Sequence, residues 1–305
     1  MKVKELLRSE EVVKIECNYR PYKFYGILQA HFDELPTDAR KEHLDKEIVI
    51  ARSPDKLKEM AKLQEKLYAD GREGLIIIFQ SIDAGGKDST IKHVIGGMNP
   101  AGVYVYSFKQ PSLEELSHDY LWRFHKVLPK RGEIAIFNRS YYEDVLTVQL
   151  HHLEKGYRLP KRISELNEED FFTKRYQQIN SYEKYLYQNG YRVIKIFLHV
   201  SKEEQKKRFM DRLTHEEKHW KFSPDDLKER AHFEEYMALC EEVINQTATK
   251  HAPWYVIPAD DKWYTRYLVS EIIVDTLKAC HPRFPEASDE ITVHLDEYKR
   301  ELNEE

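Results

Sequence analysis

Three cysteines in 305 residues, Cys17, Cys240 and Cys280, are too few and too widely spaced for a disulfide framework or a cysteine-rich zinc site. No run approaches the roughly twenty apolar residues of a membrane-spanning helix, and the opening MKVKELLRSEEVV lacks the apolar core of a signal peptide. The net charge of −5 offers no global cationic field for nucleic acid. There is no G-x-S-x-G serine elbow, and the histidines form no helical metal pair with a matching acid. Repeats and low-complexity tracts are absent as well. These absences predict a soluble cytoplasmic protein with neither nucleic acid nor membrane as partner, in which any anion site is built locally. The length allows one large domain or two with an ample core, and no linker divides the chain.

What is present is a phosphate cradle. The apolar run Leu75 to Phe79 suits a strand buried on both faces, and it breaks into Asp83-Ala84-Gly85-Gly86-Lys87 before helical sequence. Gly85 and Gly86 let backbone N–H groups turn toward an anion, the helix adds its positive end, and Lys87 adds a mobile cation. The match to G-x-x-x-x-G-K-[ST] is imperfect. Ser81 stands for the first glycine and Asp88 for the hydroxyl, with Ser89 and Thr90 one step late.

Further strands are expected at Val103 to Phe108, Glu133 to Phe137, Arg192 to Val200 and Trp254 to Pro258. Helical sequence alternates with them, which predicts a parallel sheet covered by helices. Ser53 as cap, Pro54 at the first position and Gly71 beyond the end mark a helix over 53–69. Ser112 with Glu115 forms a capping box for a helix that Pro129 ends. A long helix over 170–188 carries Tyr176, Tyr182, Tyr185 and Tyr187, read as packing residues rather than base-stacking ones. Ser201 with Glu204 caps a helix through Leu213, a polar stretch follows, and Ser223-Pro224 starts another reaching about Thr247. The tail 281–305 is polar.

Candidate chemistry gathers at the carboxyl edge of the third strand, where ligands of open α/β sheets sit: Asn138, Arg139, Glu143 and Asp144. Asn138 is a weak magnesium ligand, so the carboxylates to consider are Asp83, Glu143 and Asp144. Asp83 lies inside the loop, where a carboxylate beside a polyanion is repulsive unless a cation lies between them. Glu143 and Asp144 are equally explained as helix N-terminal carboxylates. Arg139 suits bidentate phosphate binding, or an ion pair with Glu143. Arg208 and Arg212, four apart on one helix face, fit a lid over transferring phosphates; solvated helix charges have the same spacing. Lys92, Arg123, Lys218, Lys221 and Arg230 extend the positive charge. Trp263, after the last strand, fits either a nucleotide base or the core.

Together, residues 81–92 (SIDAGGKDSTIK), 118–123 (HDYLWR), 138–145 (NRSYYEDV) and 197–201 (FLHVS) with Arg208 and Arg212 make the chain, from about Val12 to Ala279, resemble the second polyphosphate kinase family. The likeness is to the branch that acts on nucleoside mono- and diphosphates. The resemblance implies transfer of the terminal phosphate of inorganic polyphosphate to AMP, ADP or both, reversibly, with magnesium, or manganese in its place, bridging the phosphates. Adenine nucleotides are the implied acceptors, with guanine nucleotides as an extension, and the implied assembly is a homodimer or homotetramer. The implied fold is α/β: a phosphate-loop kinase-like three-layer α/β/α domain similar to thymidylate kinase, with a five-stranded parallel sheet and a helical lid. That gives one domain over 1–280, with an N-terminal helical extension to about 72, a lid at about 205–230, and the tail 281–305.

By position, Asp83, Lys87, Arg139, Arg208 and Arg212 are the implied catalytic residues. Ala84, Gly85, Gly86, Lys87, Asp88, Ser89, Thr90, Lys92 and Arg123 are the implied phosphate-binding set, and Asp83 and Glu143 the metal ligands. Asn138 departs from the aspartate of other branches. Two other readings use the same residues: an ATP-dependent nucleoside or nucleotide kinase, and a nucleotide-binding regulator without turnover, suggested by the missing first glycine and by Asn138.

Overall fold

Apolar β-rich runs become adjacent strands of one sheet in a computed structural model that describes residues 19–39 and 44–304. Its strands are β1 (Lys23–Phe24), β2 (Gly74–Gln80), β3 (Val103–Ser107), β4 (Ile134–Asn138), β5 (Tyr191–His199) and β6 (Trp254–Pro258). Their order is β1-β6-β5-β2-β4-β3, with β2 through β6 all parallel. Every residue of β2 is buried, as a central strand with both faces covered must be.

The sheet has one strand more than expected. β1 pairs antiparallel with the outer edge of β6, Lys23 opposite Tyr255 and Phe24 opposite Trp254. Two residues carry no periodicity to read, yet they cover an edge that would otherwise offer unpaired backbone groups. They lie within the stretch expected as a helical extension; residues 1–18, including Cys17, and 40–43 fall outside the described residues.

From β2 the chain moves to one side of the sheet through the Lys87–Ile95 helix, and from β4 it moves to the other side through the Glu168–Gln188 helix. Right-handed crossovers in opposite directions put those helices on opposite faces. The Lys46–Asp70 and Lys262–Ala279 helices pack with each other, and the latter also packs on Lys87–Ile95; Phe233–Thr247 packs on Glu168–Gln188. The direction reverses at the carboxyl end of β2, which is where such sheets bind ligands. No described helix is long and apolar enough to cross a membrane.

Several helix boundaries differ from the sequence expectation. The first long helix starts at Lys46, capped by Asp45, whose carboxylate accepts from the N–H groups of Glu47 and Ile48 at 2.8 and 3.1 Å. Pro54 therefore lies inside it, at an exposed position. Ser53 instead meets His93, Oγ to Nε2 3.2 Å. The Ser112–Glu115 capping box forms, but its helix stops at Ser117, and a second short helix covers Trp122–His125. Asp119 interrupts by accepting from the N–H of Leu121 at 3.0 Å, the local side-chain competition typical of aspartate. The helix expected over 223–247 breaks at His232 into Asp225–Ala231 and Phe233–Thr247. The tail carries a helix, Asp289–Glu304, with no buried residue.

One polar cluster sits fully inside the core. Lys195 in mid-β5 and Glu183 of the Glu168–Gln188 helix are both 0% exposed and 2.6 Å apart. Glu183 Oε1 accepts from the hydroxyls of Tyr141 and Tyr142 at 2.8 and 2.9 Å, and Lys195 Nζ donates to Tyr142 and to the Thr247 carbonyl. Burial pushes both tyrosine hydroxyls far above their ordinary range, so they remain donors. Because truncating one partner leaves the other as an unpaired buried charge, Glu183→Ala should cost about 3–5 kcal/mol in urea unfolding. The double variant Glu183→Leu with Lys195→Met should recover most of it; an additive loss in the double variant would contradict this account.

Candidate active site

β2 ends at Gln80, and residues 81–86 turn into the Lys87–Ile95 helix. Gly86 has φ +102°, a left-handed value that favours glycine, and a Cβ there would come within 3.2 Å of Arg208 Nη1. At Gly85 a Cβ would lie 2.1 Å from Ser81 Oγ, so the serine at the first-glycine position fills the space that the missing side chain of Gly85 leaves. The Ser81 hydroxyl donates to Ile82 O at 2.8 Å.

Lys87 lies almost wholly inside this turn, at 8% exposure. Its Nζ donates to Ser81 O at 2.8 Å and Ser81 Oγ at 3.1 Å, with Ile82 O at 3.4 Å. Burial, and then the nearby Arg139 charge, lower its pKa to about 8 against the pull of Asp83 and Glu143. The next two carbonyls are also taken by side chains: Asp83 O by Gln205 Nε2 at 3.0 Å, and Ala84 O by Arg208 Nη1 at 3.1 Å. Carbonyls 81–84 thus face the protein, which leaves the opposite side of the turn and the first turn of the helix to present N–H groups.

Across the turn, at the end of β4, Arg139 holds φ +65°, a left-handed value unusual for a side-chain-bearing residue. Its N–H bonds Phe79 O at 3.0 Å, and Ser140 Oγ accepts from Tyr142 N–H at 3.2 Å. The guanidinium pairs closely with Asp83 and lies 3.7 Å from Glu143, carboxylates that raise its already high pKa, Glu143 most. Glu143 also accepts from Gln80 Nε2 at 3.2 Å and from the Thr147 hydroxyl. Asp144, the third candidate carboxylate, points away: it is buried against Arg175 at 2.8 Å and the Tyr157 hydroxyl at 2.9 Å. Asn138 donates to Asp88 at 2.7 Å, so the residue that stands for the loop's usual hydroxyl is bonded to the last residue of β4.

The described residues hold no cluster of three or more acidic, histidine or cysteine side chains able to cage a metal. Asp83 and Glu143, two hard oxygen donors on either side of Arg139, nevertheless fit magnesium, which uses one or two carboxylates and takes its remaining ligands from water and substrate phosphates.

The two arginines of the Lys202–Thr214 helix separate. Arg208 sits over the loop, bonded to Glu204 at 3.0 Å and to the carbonyls of Ala84 and Ala259. Arg212 is turned to Lys221 O at 2.9 Å and Asp226 at 3.3 Å, bracing residues 214–226. Arg123 is bonded to Glu115 and to Lys109 O at 2.7 Å, against the rings of Phe108 and Phe124. Lys92 is exposed, Ser89 Oγ donates to Gly86 O at 3.0 Å, and Thr90 is buried. Lys218 pairs with Asp211 at 2.8 Å, and Arg230 bonds Gln205 at 2.6 Å.

Beyond Arg208 a cleft of about 810 Å³ runs past Lys262, Trp263 and Arg266 to Lys46 and Ile50. Trp263 packs on the core and lines this cleft, so its two sequence readings are compatible. Burial, and then Arg208, lower the pKa of Lys262; burial and Arg266 lower that of His93. Cations gather there among carboxylates, since Glu204, Asp211, Asp260 and Asp261 line the same cleft and Glu204 and Asp211 oppose the shift at Lys262. Sequence reasoning passed over Gln80, Gln205, Lys262 and Arg266, whose positions follow from contacts made across the sheet edge and carry no local pattern.

The sequence pattern of the polyphosphate kinase 2 family matches residues 43–285. The chain is 44% identical to the ADP-polyphosphate phosphotransferase of Rhodopseudomonas palustris, over 76% of its own length and 80% of the relative's. It is 43% identical to the AMP/ADP-polyphosphate phosphotransferase of Meiothermus ruber, over 77% and 85%. The crystal structure of polyphosphate kinase 2 from Arthrobacter aurescens TC1 superposes with a TM-score of 0.81 at 34% identity, covering 89% of this chain and 93% of that one.

A lysine with a pKa of about 8 is charged below that pH and neutral above it, and an anion seated on it raises the value again. Tripolyphosphate affinity should therefore fall as pH rises through 8, and binding near pH 8 should take up about half a proton per site at Lys87. Calorimetry in two buffers of different ionisation enthalpy measures the uptake. Lys87→Ala should remove that component; an unchanged uptake in the variant would assign it elsewhere.

Proposed function

The chain belongs to the polyphosphate kinase 2 family, and from that membership we propose that it moves the terminal phosphate of inorganic polyphosphate onto ADP, AMP or both, and back. The observation that carries this reading is the convergence of Lys87, Arg139 and Arg208 with Asp83 and Glu143 around one N–H-lined turn. Phosphoryl transfer needs positioning and charge neutralisation more than a protein nucleophile, and that is what these residues can supply.

In the forward direction an oxygen of the ADP β-phosphate bonds to the terminal phosphorus of the polymer. The bond from that phosphorus to the next bridging oxygen breaks, and its electron pair stays on the shortened chain. The attacking oxygen is already anionic, so no side chain has to remove a proton. Lys87 leaves its three acceptors in the turn for the arriving phosphate, and the backbone N–H groups hold the phosphate's oxygens. Arg208, over the mouth of the loop, faces the bridging oxygen on which charge develops, and Arg139 aligns the acceptor phosphate from the β4 side. Magnesium, held by Asp83 and Glu143, would neutralise charge on the transferred group; manganese has the same donor preference. The helical segment at about 205–230 serves as the lid.

The rest of the polymer lies in the cleft beyond Arg208, on Lys262 and Arg266. A linear polyanion relieves the mutual repulsion of those cations and should lose affinity with salt. Adenine nucleotides are the acceptors, with guanine nucleotides next, and the enzyme works in the cytoplasm as a homodimer or homotetramer.

Purified protein with ADP, magnesium and long-chain polyphosphate, free of nucleoside triphosphate, should form ATP. No product there or with AMP, together with turnover on an ATP donor, would assign the site to an ATP-dependent kinase instead. The double variant Lys262→Gln, Arg266→Gln should raise the KM for long-chain polyphosphate about tenfold and flatten its salt dependence, as expected when charge contacts are removed. Its KM for ADP should stay near wild type; a rise in that value alone would place the nucleotide, not the polymer, in the cleft.

A further inference from the structure

Gln205 is a buried polar side chain, 1% exposed, that belongs to neither the loop nor the ring of cations. Its Nε2 donates to Asp83 O at 3.0 Å, and its Oε1 accepts from Arg230 Nη1 at 2.6 Å. Arg230 also donates to Lys202 O at 2.8 Å, at the start of the same helix. Only one orientation of the amide satisfies both neighbours, because the reverse would face an oxygen with an oxygen and a guanidinium with an NH₂. The position therefore asks for a donor and an acceptor on one side-chain end. Glutamate would keep Arg230 and repel the carbonyl, lysine would keep the carbonyl and repel Arg230, and methionine would serve neither.

The carbonyl concerned is a consequential one. In a trans peptide the C=O of one residue and the N–H of the next point in opposite directions, and the described chain contains no cis peptide. Fixing Asp83 O toward Gln205 therefore fixes the Ala84 N–H toward the opposite side of the turn. Ala84 itself has φ +60°, which for a residue other than glycine persists only where the surroundings enforce it. The same peptide sets the backbone from which the Asp83 carboxylate reaches Arg139.

We propose that Gln205 is a positioning residue for phosphate binding: it sets the Asp83–Ala84 peptide so that its N–H faces the ligand, and it ties that peptide to the Arg230-bearing Asp225–Ala231 helix. The inference rests on the phosphoryl-transfer reading, but its test does not need turnover.

Gln205→Glu and Gln205→Met are compared with wild type by calorimetric binding of tripolyphosphate, by thermal unfolding, and by KM and kcat with polyphosphate and ADP. Both variants should bind tripolyphosphate about tenfold more weakly and show a correspondingly higher polyphosphate KM. Gln205→Glu, which keeps a partner for Arg230, should melt above Gln205→Met, so a binding loss of equal size in the two variants cannot be ascribed to lost folding. Wild-type tripolyphosphate affinity in a folded Gln205→Glu would overturn the proposal, as would a binding loss in both variants that only follows the drop in melting temperature. If the wild type makes no ATP from polyphosphate yet binds tripolyphosphate through Gln205, the reaction assigned above fails while the positioning role stands.

Discussion

The site depends on one constraint: a backbone that turns its N–H groups toward an anion must turn its carbonyls the other way, and those carbonyls need donors. In a strand or helix the ladder supplies them; in a turn of six residues nothing regular does. Here carbonyls 81, 83 and 84 are met by the side chains of Lys87, Gln205 and Arg208, while Ile82 O takes the Ser81 hydroxyl and the Gly85 N–H, with Lys87 at 3.4 Å. Two of these donors are cations that, in the proposed reaction, also serve the ligand, so loop integrity and phosphate binding would draw on the same groups. Gln205 is the neutral exception: it has no charge to offer a phosphate and so can stay on its carbonyl throughout a reaction cycle. A single leucine in its place would leave both a peptide oxygen and Arg230 short of a partner, at roughly 1–3 kcal/mol for each unsatisfied group.

A second, buried polar cluster holds the other half of the site. Arg139 has left-handed backbone geometry at the end of β4, and the chain immediately after it is held by Tyr141 and Tyr142, both bonded to Glu183 in the core. A hydrophobic replacement of the Lys195–Glu183 pair could be as stable, since burying two charges costs much of what their attraction returns. What aliphatic packing would not reproduce is direction: three hydrogen bonds, two to Glu183 and one from Lys195, fix where the tyrosine rings lie, hence the path of residues 139–142. The Asp83–Arg139 contact then joins a loop held by the Lys202–Thr214 helix to a turn held from the core.

The parts of this arrangement legible in the sequence were those with local physics. Strands β2 to β6, the glycine turn, the Lys87 helix, the Ser112–Glu115 capping box and the Ser201 cap are written in periodicity, φ requirements and cap chemistry, and they stand where those signals put them; the second box stays half-formed, because the Ser201 N–H goes to Asp260 and the Glu204 carboxylate to Arg208. The resemblance to a family then brought Lys87, Asp83 and Arg139 to one place. Illegible were the features whose cause lies elsewhere in the fold. β1 is a strand only because β6 has a free edge, and Pro54 sits mid-helix because the capping carboxylate belongs to Asp45, well upstream. Spacing alone gives Arg208 and Arg212 the same face, yet Arg208 finds the loop carbonyl while Arg212 finds Asp226. The same limit hid Gln205, since a glutamine on a charged helix looks solvated until the element packed over it is known.

The charges around the turn bear on how the proposed reaction must be supplied. Lys87, Arg139 and Arg208 give three positive charges, and Asp83, Asp88 and Glu143 give three negative ones, before Glu204, paired to Arg208, is counted. The protein's own groups are therefore balanced without substrate, and Arg139 in particular is already shared between two carboxylates. A phosphate chain entering this turn brings charge that these six side chains do not match, and at the short distances of a partly buried turn such an imbalance costs several kcal/mol per charge. For the reaction proposed above, a divalent cation would compensate with least rearrangement, because it would take the carboxylates that now hold Arg139 and so release the guanidinium for the acceptor phosphate. On that proposal metal and phosphate would enter together, and Asp83, a carboxylate that would repel the polymer alone, would attract the pair.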